Sequence, residues 1–480
     1  MKQKLLFVLM LITQSFFAQW NQVGSDIDSD KQDNFFGKSI AINNLGDIVA
    51  VGATDDDESS TIFNNGVVTV YKKNEANEWI QYGNKIIGES ANDESSYSLS
   101  INGAGTIVAV GSIKNNDAGI NSGHVRVYEY NAGTWTQIGA DLDGLSGDFS
   151  GTSVSLNQSG TILAVGAPKN STNALESGAV RIYEYSSGNW TLSSVFYGQT
   201  AEDNLGFSVS LNGQGTKLVV GAPGNSTNGN FAGLVRIYEY SSGSWALHSD
   251  LYNQTAEDYF GVSVDMNELG NIIVIGASKS DGEAGVDTGH TSVYQYNSGA
   301  WSKIGNNIQG EGSQDESGSV VSINSNGSII AIGAKRNGES ASKHGHVRVY
   351  KNESGTWLQQ GNDIDGEANF DESGISIDLN NEGSIVAIGA SLNDGVGPNS
   401  GHARIFKYEE VLLTNSTSVI NGLTITFVNN SFKSNLPNIK LLIKNILGQE
   451  LPNHSIQSGV YFVQAQNSTG AIQLFKLLVK

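Results

Sequence analysis

One motif, repeated seven times, constrains the fold of this chain more than any other feature. A short apolar segment ending in Val/Ile-Gly-Ala, or a close variant, recurs between residues 48 and 390 of the 480-residue chain. Its glycines are Gly52, Gly111, Gly166, Gly221, Gly276, Gly333 and Gly389, at successive spacings of 59, 55, 55, 55, 57 and 56 residues. A period of this length indicates stacked supersecondary units, each of which buries its apolar surface against its neighbours.

Each repeat holds four short segments that are rich in Val, Ile, Leu, Thr and Tyr. One copy reads GTSVSLN (151–157), TILAVGAP (161–168), GAVRIYEY (178–185) and WTLSSVF (190–196). The second segment is apolar at consecutive positions, as in a strand buried on both faces, and the first carries small residues that suit a crowded inner strand. Four short strands repeated seven times predict an all-β fold, a seven-bladed β-propeller over residues 20–410.

The seven tryptophans indicate how the ring closes. Each opens a fourth-strand segment, and they are Trp20, Trp79, Trp135, Trp190, Trp245, Trp301 and Trp357. Trp20 precedes the first complete repeat, whereas no Trp follows the last repeat, which ends with GHARIFKY (401–408). The N-terminal strand WNQVG (20–24) is therefore predicted to complete the last blade, which removes an open sheet edge. We expect all seven tryptophans to be structural.

These repeats resemble the FG-GAP β-propeller repeats of integrin α-subunits and many bacterial surface proteins. The matching segments are Phe36-Gly37, Leu205-Gly206 and Phe260-Gly261 for FG, and Gly166-Ala167-Pro168 and Gly221-Ala222-Pro223 for GAP. The resemblance covers roughly residues 20–408. It implies the propeller fold and does not imply one function, because propellers host many functions.

Residues 1–19 are predicted to be a secretory signal peptide. Lys2 and Lys4 form a basic start, residues 5–12 are an unbroken apolar run, and Ala18 is a small residue before the expected cleavage point. The apolar run is far shorter than the ~20 residues that a membrane-spanning helix needs. We therefore predict an exported protein without a transmembrane span.

The repeat pattern stops after Tyr408, and residues 411–480 form a second predicted module, with a polar linker at about 411–420. Three strand-like segments, at 439–451, 458–466 and 472–480, predict a small antiparallel β-sandwich. This module resembles the type A C-terminal sorting domain of type IX secretion cargo. The matching residues are Asn445, Gly448, Gln449, Gly459, Tyr461 and Lys480.

The sorting-domain resemblance implies a source and a destination. The source would be a Gram-negative bacterium of the Bacteroidota type, and the type IX secretion machinery would be a partner. The module would be removed during passage through the outer membrane. The mature protein would then be attached to the cell surface or released outside the cell.

The formal charge of −21 is unevenly distributed along the chain. Residues 411–480 carry +4, and Lys2 and Lys4 add +2, which leaves −27 on residues 20–410. So acidic a region excludes non-specific nucleic-acid binding, which depends on contacts between basic residues and phosphate. The absence of Cys excludes disulfides, thiol catalysis and Cys-ligated metal sites.

An Asp just before the first strand of each repeat is the leading candidate for an acidic ligand-binding face. These residues are Asp33, Asp93, Asp148, Asp203, Asp258, Asp315 and Asp371. Such a face could attract cations or a cationic ligand. The alternative is structural, with each Asp capping a turn by accepting backbone N–H bonds. Recurrence in every repeat favours the structural alternative, since a single ligand site needs asymmetry between blades.

The turn after the first strand of the last repeat is a candidate calcium site. Asp378, Asn380 and Glu382 supply oxygen atoms at alternate positions, but Val386 occupies the last ligand position of the integrin-like pattern. The other repeats mostly read Asn-x-x-Gly, which predicts a tight hairpin turn with positive φ. We expect a plain turn to be the stronger alternative, and no other cofactor is predicted.

Four of the seven histidines follow a Gly at one repeat position. They are His124, His290, His346 and His402. Because they lie on different blades, they cannot easily converge on one metal ion. We therefore predict a structural role for them at the start of a strand.

No H-E-x-x-H, G-x-S-x-G or Walker sequence occurs in the chain. The leading hypothesis is a monomeric, surface-displayed propeller that acts as an adhesion or ligand-binding module for glycan or protein, with a non-enzymatic role favoured. The alternative is an extracellular polysaccharide lyase or hydrolase that uses paired carboxylates for acid–base catalysis. A third hypothesis is a structural component of the cell-surface layer.

Overall fold

Seven antiparallel sheets surround a central channel and form the predicted seven-bladed β-propeller. The computed structural model describes residues 19–57, 63–338, 343–409, 425–428, 431–444, 450–451, 453, 459–466 and 472–479. The innermost strand of each blade contacts the innermost strand of the next, and the last contacts the first, so the ring is closed. Trp20–Tyr408 forms one compact unit, and the residues after Tyr408 belong to another.

The four strands of each blade are ordered from the channel outward, and blade 1 is the blade that contains Gly52. The first strands are Phe36–Ile42, Ser95–Ile101, Ser153–Leu156, Ser208–Leu211, Ser263–Met266, Val320–Ile323 and Ser376–Leu379. The second strands are Ile48–Ala53, Ile107–Ser112, Ile162–Ala167, Lys217–Ala222, Ile272–Ala277, Ile329–Ala334 and Ile385–Ala390.

The third strands are Val67–Lys73, His124–Asn131, Ala179–Ser186, Leu234–Ser241, His290–Asn297, His346–Glu353 and His402–Glu409. The fourth strands are Trp79–Gln81, Thr134–Gln137, Asn189–Tyr197, Ser244–Tyr252, Ala300–Lys303, Thr356–Gln359 and, in blade 7, Gln19–Gln22. In five blades the fourth strand is followed by a separate two-residue strand that also pairs with the third strand. These short strands are Ile27–Asp28, Ile86–Ile87, Leu142–Asp143, Ile308–Gln309 and Ile364–Asp365. In blades 3 and 4 the fourth strand is longer and makes this pairing itself, after a β-bulge.

The N-terminal strand closes the ring, as the sequence predicts. Gln19–Gln22 pairs with His402–Glu409 and so becomes the outer strand of blade 7. The indole Nε1 of Trp20 donates to the backbone oxygen of Gln360, in blade 6, at 2.8 Å. The same bond to the preceding blade recurs for Trp79, Trp135 and Trp357, at 2.8, 2.7 and 3.2 Å. Trp190, Trp245 and Trp301 also lie in the fourth strands of their blades.

The second strands are buried on both faces, which explains their unbroken apolar sequences. In blade 1, Val49 and Val51 pack against Ala387 of blade 7. Ile48 and Ala50, which point the other way, pack on the side of blade 2. Alternate side chains of one strand therefore belong to two different cores, one on each side of the blade.

The repeated motif glycine allows neighbouring blades to approach closely. A Cβ atom added to Gly166 would overlap the carbonyl oxygen of Gly206 in the next blade. A Cβ atom on Gly389 would likewise overlap the carbonyl oxygen of Gly37, across the point where the ring closes. Any larger residue at these positions would force two blades apart, so the defining glycine of the sequence repeat is a packing requirement.

After Tyr408, the described residues form two small antiparallel sheets. Ile425–Val428 pairs with Ser431–Ser434 in one sheet. The other sheet has the strand order Glu450–Leu451, Lys440–Lys444, Gly459–Gln466 and Ile472–Val479. The four strands of the larger sheet fall within the predicted segments, whereas sandwich packing and a sorting role remain predictions.

The predicted sorting residues are only partly within the described structure. Gly459 begins a strand, and Tyr461 is buried, with its ring 5.8 Å from that of Phe432. Four others lie outside the described residues: Asn445, Gly448, Gln449 and Lys480. The predicted signal sequence up to residue 18 and the linker at 411–420 also lie outside them.

Candidate functional site

Two kinds of loop meet at one end of the propeller, which we call the loop face. It consists of the loops between second and third strands and of the connections between blades, as described in the ranges 29–35, 54–57, 63–66, 88–94, 113–123, 144–152, 168–178, 198–207, 223–233, 253–262, 278–289, 310–319, 335–338, 343–345, 366–375 and 391–401. Backbone bonds join the two kinds, as between the Gly147 nitrogen and the Ile120 oxygen at 2.8 Å. The opposite end carries the turns between first and second strands.

Six of the seven predicted acidic-face residues are buried. Asp93, Asp148, Asp203, Asp258, Asp315 and Asp371 are only 1–4% exposed. The Asp148 carboxylate accepts bonds from the Leu145 nitrogen at 2.9 Å and from Asn170 Nδ2 at 2.8 Å, and it forms an ion pair with Arg181. All but Asp258 accept a backbone N–H of their own turn and an Asn amide 22 residues later. These carboxylates hold the loop face together and do not form its exposed surface.

The first blade differs from the other six at this position. Asp33 is exposed, and the residue in register with the six buried aspartates is Asn34. The predicted assignment of Asp33 to this repeat position is therefore wrong by one residue. The partner position, 22 residues later, holds Asp56, which is buried and forms a 2.7 Å ion pair with Lys31. Blade 1 thus exchanges the acid and the amide between the two positions.

Apolar side chains project into solvent at one repeat position of the loop face. Phe63, Ile120, Leu175 and Val286 are 58%, 75%, 64% and 59% exposed. Their backbone oxygens each accept an N–H from the adjacent inter-blade connection, at 2.7–2.8 Å. The loop backbone is thus fixed while the side chain is presented outward. Leu145 and Phe370, on the connections themselves, are each 57% exposed.

The central channel is lined by one side chain from the middle of each first strand. Around the ring these are Ala41, Ser100, Ser155, Ser210, Asp265, Ser322 and Asp378. Six of the seven accept a backbone N–H from the first strand of the next blade, at 2.8–3.2 Å. Asp378 closes the ring by accepting the N–H of Ile42 at 2.8 Å. Ala41 has no side-chain oxygen and leaves the junction between blades 1 and 2 without this bond.

The two channel aspartates break the sevenfold pattern electrostatically. Burial raises the pKa of Asp378 to about 7, and the nearby Asp265 carboxylate contributes to this shift. Burial also raises the pKa of Asp265. Ser322 lies between them and donates to Asp378 Oδ1 at 3.3 Å. The cavities beside these groups measure about 170 and 200 Å³, below the ~300–1,000 Å³ of most ligand pockets.

The predicted calcium ligands of the last repeat have separate roles in the structure. The Asp378 carboxylate faces the channel, and Glu382 is exposed in the turn. Asn380 Oδ1 accepts the nitrogens of Ser384 and Ile385, each at 2.9 Å. The equivalent Asn of every other blade caps its turn in the same way. The repeated Asn therefore forms the predicted tight turn, and calcium binding remains a prediction.

The four repeated histidines begin the third strands of blades 2, 5, 6 and 7, as predicted. They are buried, with 1–6% exposure. Burial lowers the pKa of each to about 4, and in three of them a nearby Arg lowers it further. Carboxylates lie near His124, His346 and His402, and some of them belong to the connection that follows the preceding blade. Spacing along the sequence could not show which carboxylates these are.

Comparisons with known proteins do not assign this chain to a family. No protein-family model matches it, and no curated protein matches it. Among solved structures, one from Bacteroides uniformis, assigned provisionally as a 6-phosphogluconolactonase, aligns with a TM-score of 0.49 and 11% sequence identity. The alignment covers 72% of this chain and 89% of that chain. Within the described residues, no helix has the length and hydrophobicity needed to cross a bilayer.

Proposed function

We propose that this protein is a secreted, surface-displayed adhesion or binding module whose loop face contacts an extracellular protein or glycan. The observation that carries the proposal is the exposed apolar side chain at one repeat position in four blades, on Phe63, Ile120, Leu175 and Val286. Exposed apolar groups that recur on one face contribute little to the core and are typical of interaction surfaces.

The chemistry of this face favours a protein ligand over a glycan. Three of the four side chains are aliphatic, and aliphatic groups gain most by excluding water from another apolar surface. The charge of −27 on residues 20–410 would attract a ligand with basic groups beside its apolar contacts. Glycan binding would depend more on exposed aromatic rings, and among the described residues of this face the exposed Phe side chains are Phe63, Phe207 and Phe370.

A variant with Ser at Phe63, Ile120, Leu175 and Val286 tests the binding face. We expect it to fold normally and to lose binding on arrays of extracellular proteins and glycans. The matched control replaces Leu45 and Leu269 with Ser, since these are 75% and 69% exposed at the opposite end of the propeller. Wild-type protein that binds nothing above background, or a control variant that loses as much binding as the loop-face variant, would contradict the proposal.

Export through the type IX pathway is the second part of the proposal. The support is the order of sorting-like segments in residues 411–480 and the signal-like sequence in residues 1–19. Deletion of residues 411–480 should leave the propeller inside the cell envelope. Surface display of the truncated protein, detected by antibody on intact cells, would show that another signal directs export.

The enzymatic alternative is favoured by one observation. Asp378 has a pKa near 7, which suits a general acid or base at neutral pH. Polysaccharide cleavage abolished by Asp378→Ser, in a protein that still folds, would support a lyase or hydrolase. The small channel cavities and the bonds that already engage both aspartates argue for the binding module.

A further inference from the structure

The repeated histidines have different neighbours in different blades. Three of them lie beside carboxylates that come from two blades, whereas His290 in blade 5 does not. The largest of these clusters consists of Glu89, Asp117, His124 and Asp141. Glu89 belongs to the connection after blade 1, and the other three residues belong to blade 2. The cluster therefore spans the junction between two blades.

The geometry of this cluster suits a single cation. One potential ligand atom from each of the four residues lies within 4.8 Å of the others. Two ligands that each bind at about 2.0–2.4 Å from one ion are separated by no more than about 4.8 Å. Asp143 adds a further carboxylate, with Oδ1 4.0 Å from His124 Nδ1. The site thus offers one nitrogen and several carboxylate oxygens.

His124 supplies an independent indication of a ligand. Its side chain is 1% exposed, and its Nδ1 has no hydrogen-bond partner although it is buried. Nδ1 points into the cluster, 3.8 Å from Asp141 Oδ2, which is too long for a hydrogen bond. This imidazole nitrogen is one of the four potential ligand atoms of the cluster, and imidazole is the commonest protein ligand of transition-metal ions. A buried nitrogen without a partner is costly, and a bound cation would remove that cost.

Arg126 is the competing cation in this cluster. Its Nη2 contacts the Glu89 carboxylate and lies 2.7 Å from Asp141 Oδ2. One guanidinium balances only part of the charge, because Asp117 and Asp143 also lie in or beside the cluster. The local charge therefore remains negative with Arg126 in place.

We propose that His124, Glu89, Asp117 and Asp141 form a binding site for a divalent transition-metal ion of the Zn²⁺ or Mn²⁺ class. An imidazole ligand favours such ions over Ca²⁺ and Mg²⁺, which prefer oxygen ligands alone. The bound ion would join blade 1 to blade 2. At this junction the first strands lack the side-chain-to-backbone hydrogen bond of the other junctions, because Ala41 has no side-chain oxygen.

Blade 5 provides an internal control for this assignment. His290 occupies the same repeat position, but its Nδ1 bonds to Ser280 Oγ at 2.7 Å. Asn307 and Ser292 stand where blade 2 has Asp141 and Arg126. Blades 6 and 7 have smaller clusters of the same kind, formed by Glu311, His346 and Asp363 and by Asp26, Glu367 and His402. We expect these to bind more weakly, because each has three potential ligands.

The test is isothermal titration of the EDTA-treated full chain with ZnCl₂ and with MnCl₂. We expect wild-type protein to bind at least one ion, and the visible spectrum with Co²⁺ to report nitrogen ligation. Asp141→Asn, which takes the blade 5 residue, should weaken the tightest site roughly tenfold or more, since even outer-shell changes can cost that much. His290→Gln should leave the tightest site unchanged.

A second variant separates metal binding from a purely structural ion pair. Arg126→Ser, also the blade 5 residue, removes the competing cation and should strengthen metal binding. If Arg126 and its carboxylates serve only as an ion-pair network, the wild type will bind no Zn²⁺ or Mn²⁺, which overturns the proposal without any variant. Equal affinity of the wild type and Asp141→Asn, in protein that keeps its β-sheet circular dichroism, would also overturn it.

Discussion

The propeller contains two sets of aspartates, six buried in the loop face and two half-buried in the channel, and the two sets differ in how their charge is stabilised. The six loop-face aspartates bond mainly within their own blade, to backbone nitrogens and to an Asn amide. The two channel aspartates, Asp265 and Asp378, bond to the next blade and lie close enough to repel one another. The first set recurs with the repeat, whereas the second occurs in only two of seven blades.

This difference shows how to interpret a repeated and a non-repeated residue of the same type. A residue that recurs in every unit serves the unit, as Asp148 does when it fixes the turn before its strand. A residue that departs from the repeat changes a local property, as Asp378 does at a position where four other blades have Ser. The same reasoning applies to His124, which differs from His290 only in its neighbours.

Asp148→Ala, in the loop-face set, should lower the stability of the fold more than any other single change predicted below. The change removes the bonds to Leu145 and Asn170 and leaves the buried Arg181 without its ion-pair partner. We expect the free energy of unfolding to fall by about 3–5 kcal/mol in urea denaturation. The control is Asp33→Ala, at the exposed residue next to the equivalent position, which should change stability by less than about 0.5 kcal/mol. Similar losses for both variants would contradict the assigned register.

Asp378→Ser tests the channel set and should have the opposite sign. The pKa of Asp378 is about 7 in the folded protein against the ordinary aspartate value of 3.8, so the folded protein binds this proton more tightly than the unfolded chain. The group's contribution to stability is therefore greatest below pH 3.8 and is lost as the pH rises through 7. The variant should be more stable than the wild type at pH 8, by at most about 4 kcal/mol. This advantage should disappear toward pH 4; a difference that does not vary with pH would refute the electrostatic cause.

Asn34→Asp examines the exchanged pair in blade 1. It places a second buried carboxylate in blade 1, at the position where the other six blades have Asp, while Asp56 remains at the partner position. We expect the free energy of unfolding to fall by about 1–3 kcal/mol because like charges are brought together. The double variant with Asp56→Asn restores one acid and one amide, as in the other blades, and should recover much of the loss. Additive losses in the double variant would show that the two positions do not interact.

Ala41→Ser should have the smallest effect. It supplies the missing channel acceptor for the backbone N–H of Ile101, and we expect a gain of about 0.5–1.5 kcal/mol. The matched control is Ser155→Ala, which removes the 2.9 Å bond to the Leu211 nitrogen and should lose a similar amount. A gain without a corresponding loss in the control would mean that the channel bonds are not the cause.

Much of the fold could be predicted from the sequence, because the repeat makes each local pattern appear seven times. The Trp20 segment, the apolar second strands and the Asn-x-x-Gly turns were predicted correctly from spacing and hydrophobicity. The position of Asp33 was wrong by one residue, since blade 1 exchanges its acid and amide and so hides the true register. Five of the aspartates accept backbone N–H bonds of their own turns, as the favoured structural alternative expects. Only the structure shows that six of the seven candidate residues are buried, because spacing along the chain does not show whether a carboxylate faces solvent or its own turn.

The number of blades, their strand content and the strand that closes the ring all follow from the amino-acid sequence. These properties depend on hydrophobic pattern and turn chemistry, which are local. The packing of the blades is what brings Asp378 and Asp265 into one channel, exposes Phe63, Ile120, Leu175 and Val286 on the loop face, and places Glu89 beside His124. These properties depend on contacts between blades, and residues some 35 to 110 positions apart become neighbours only when the ring has closed.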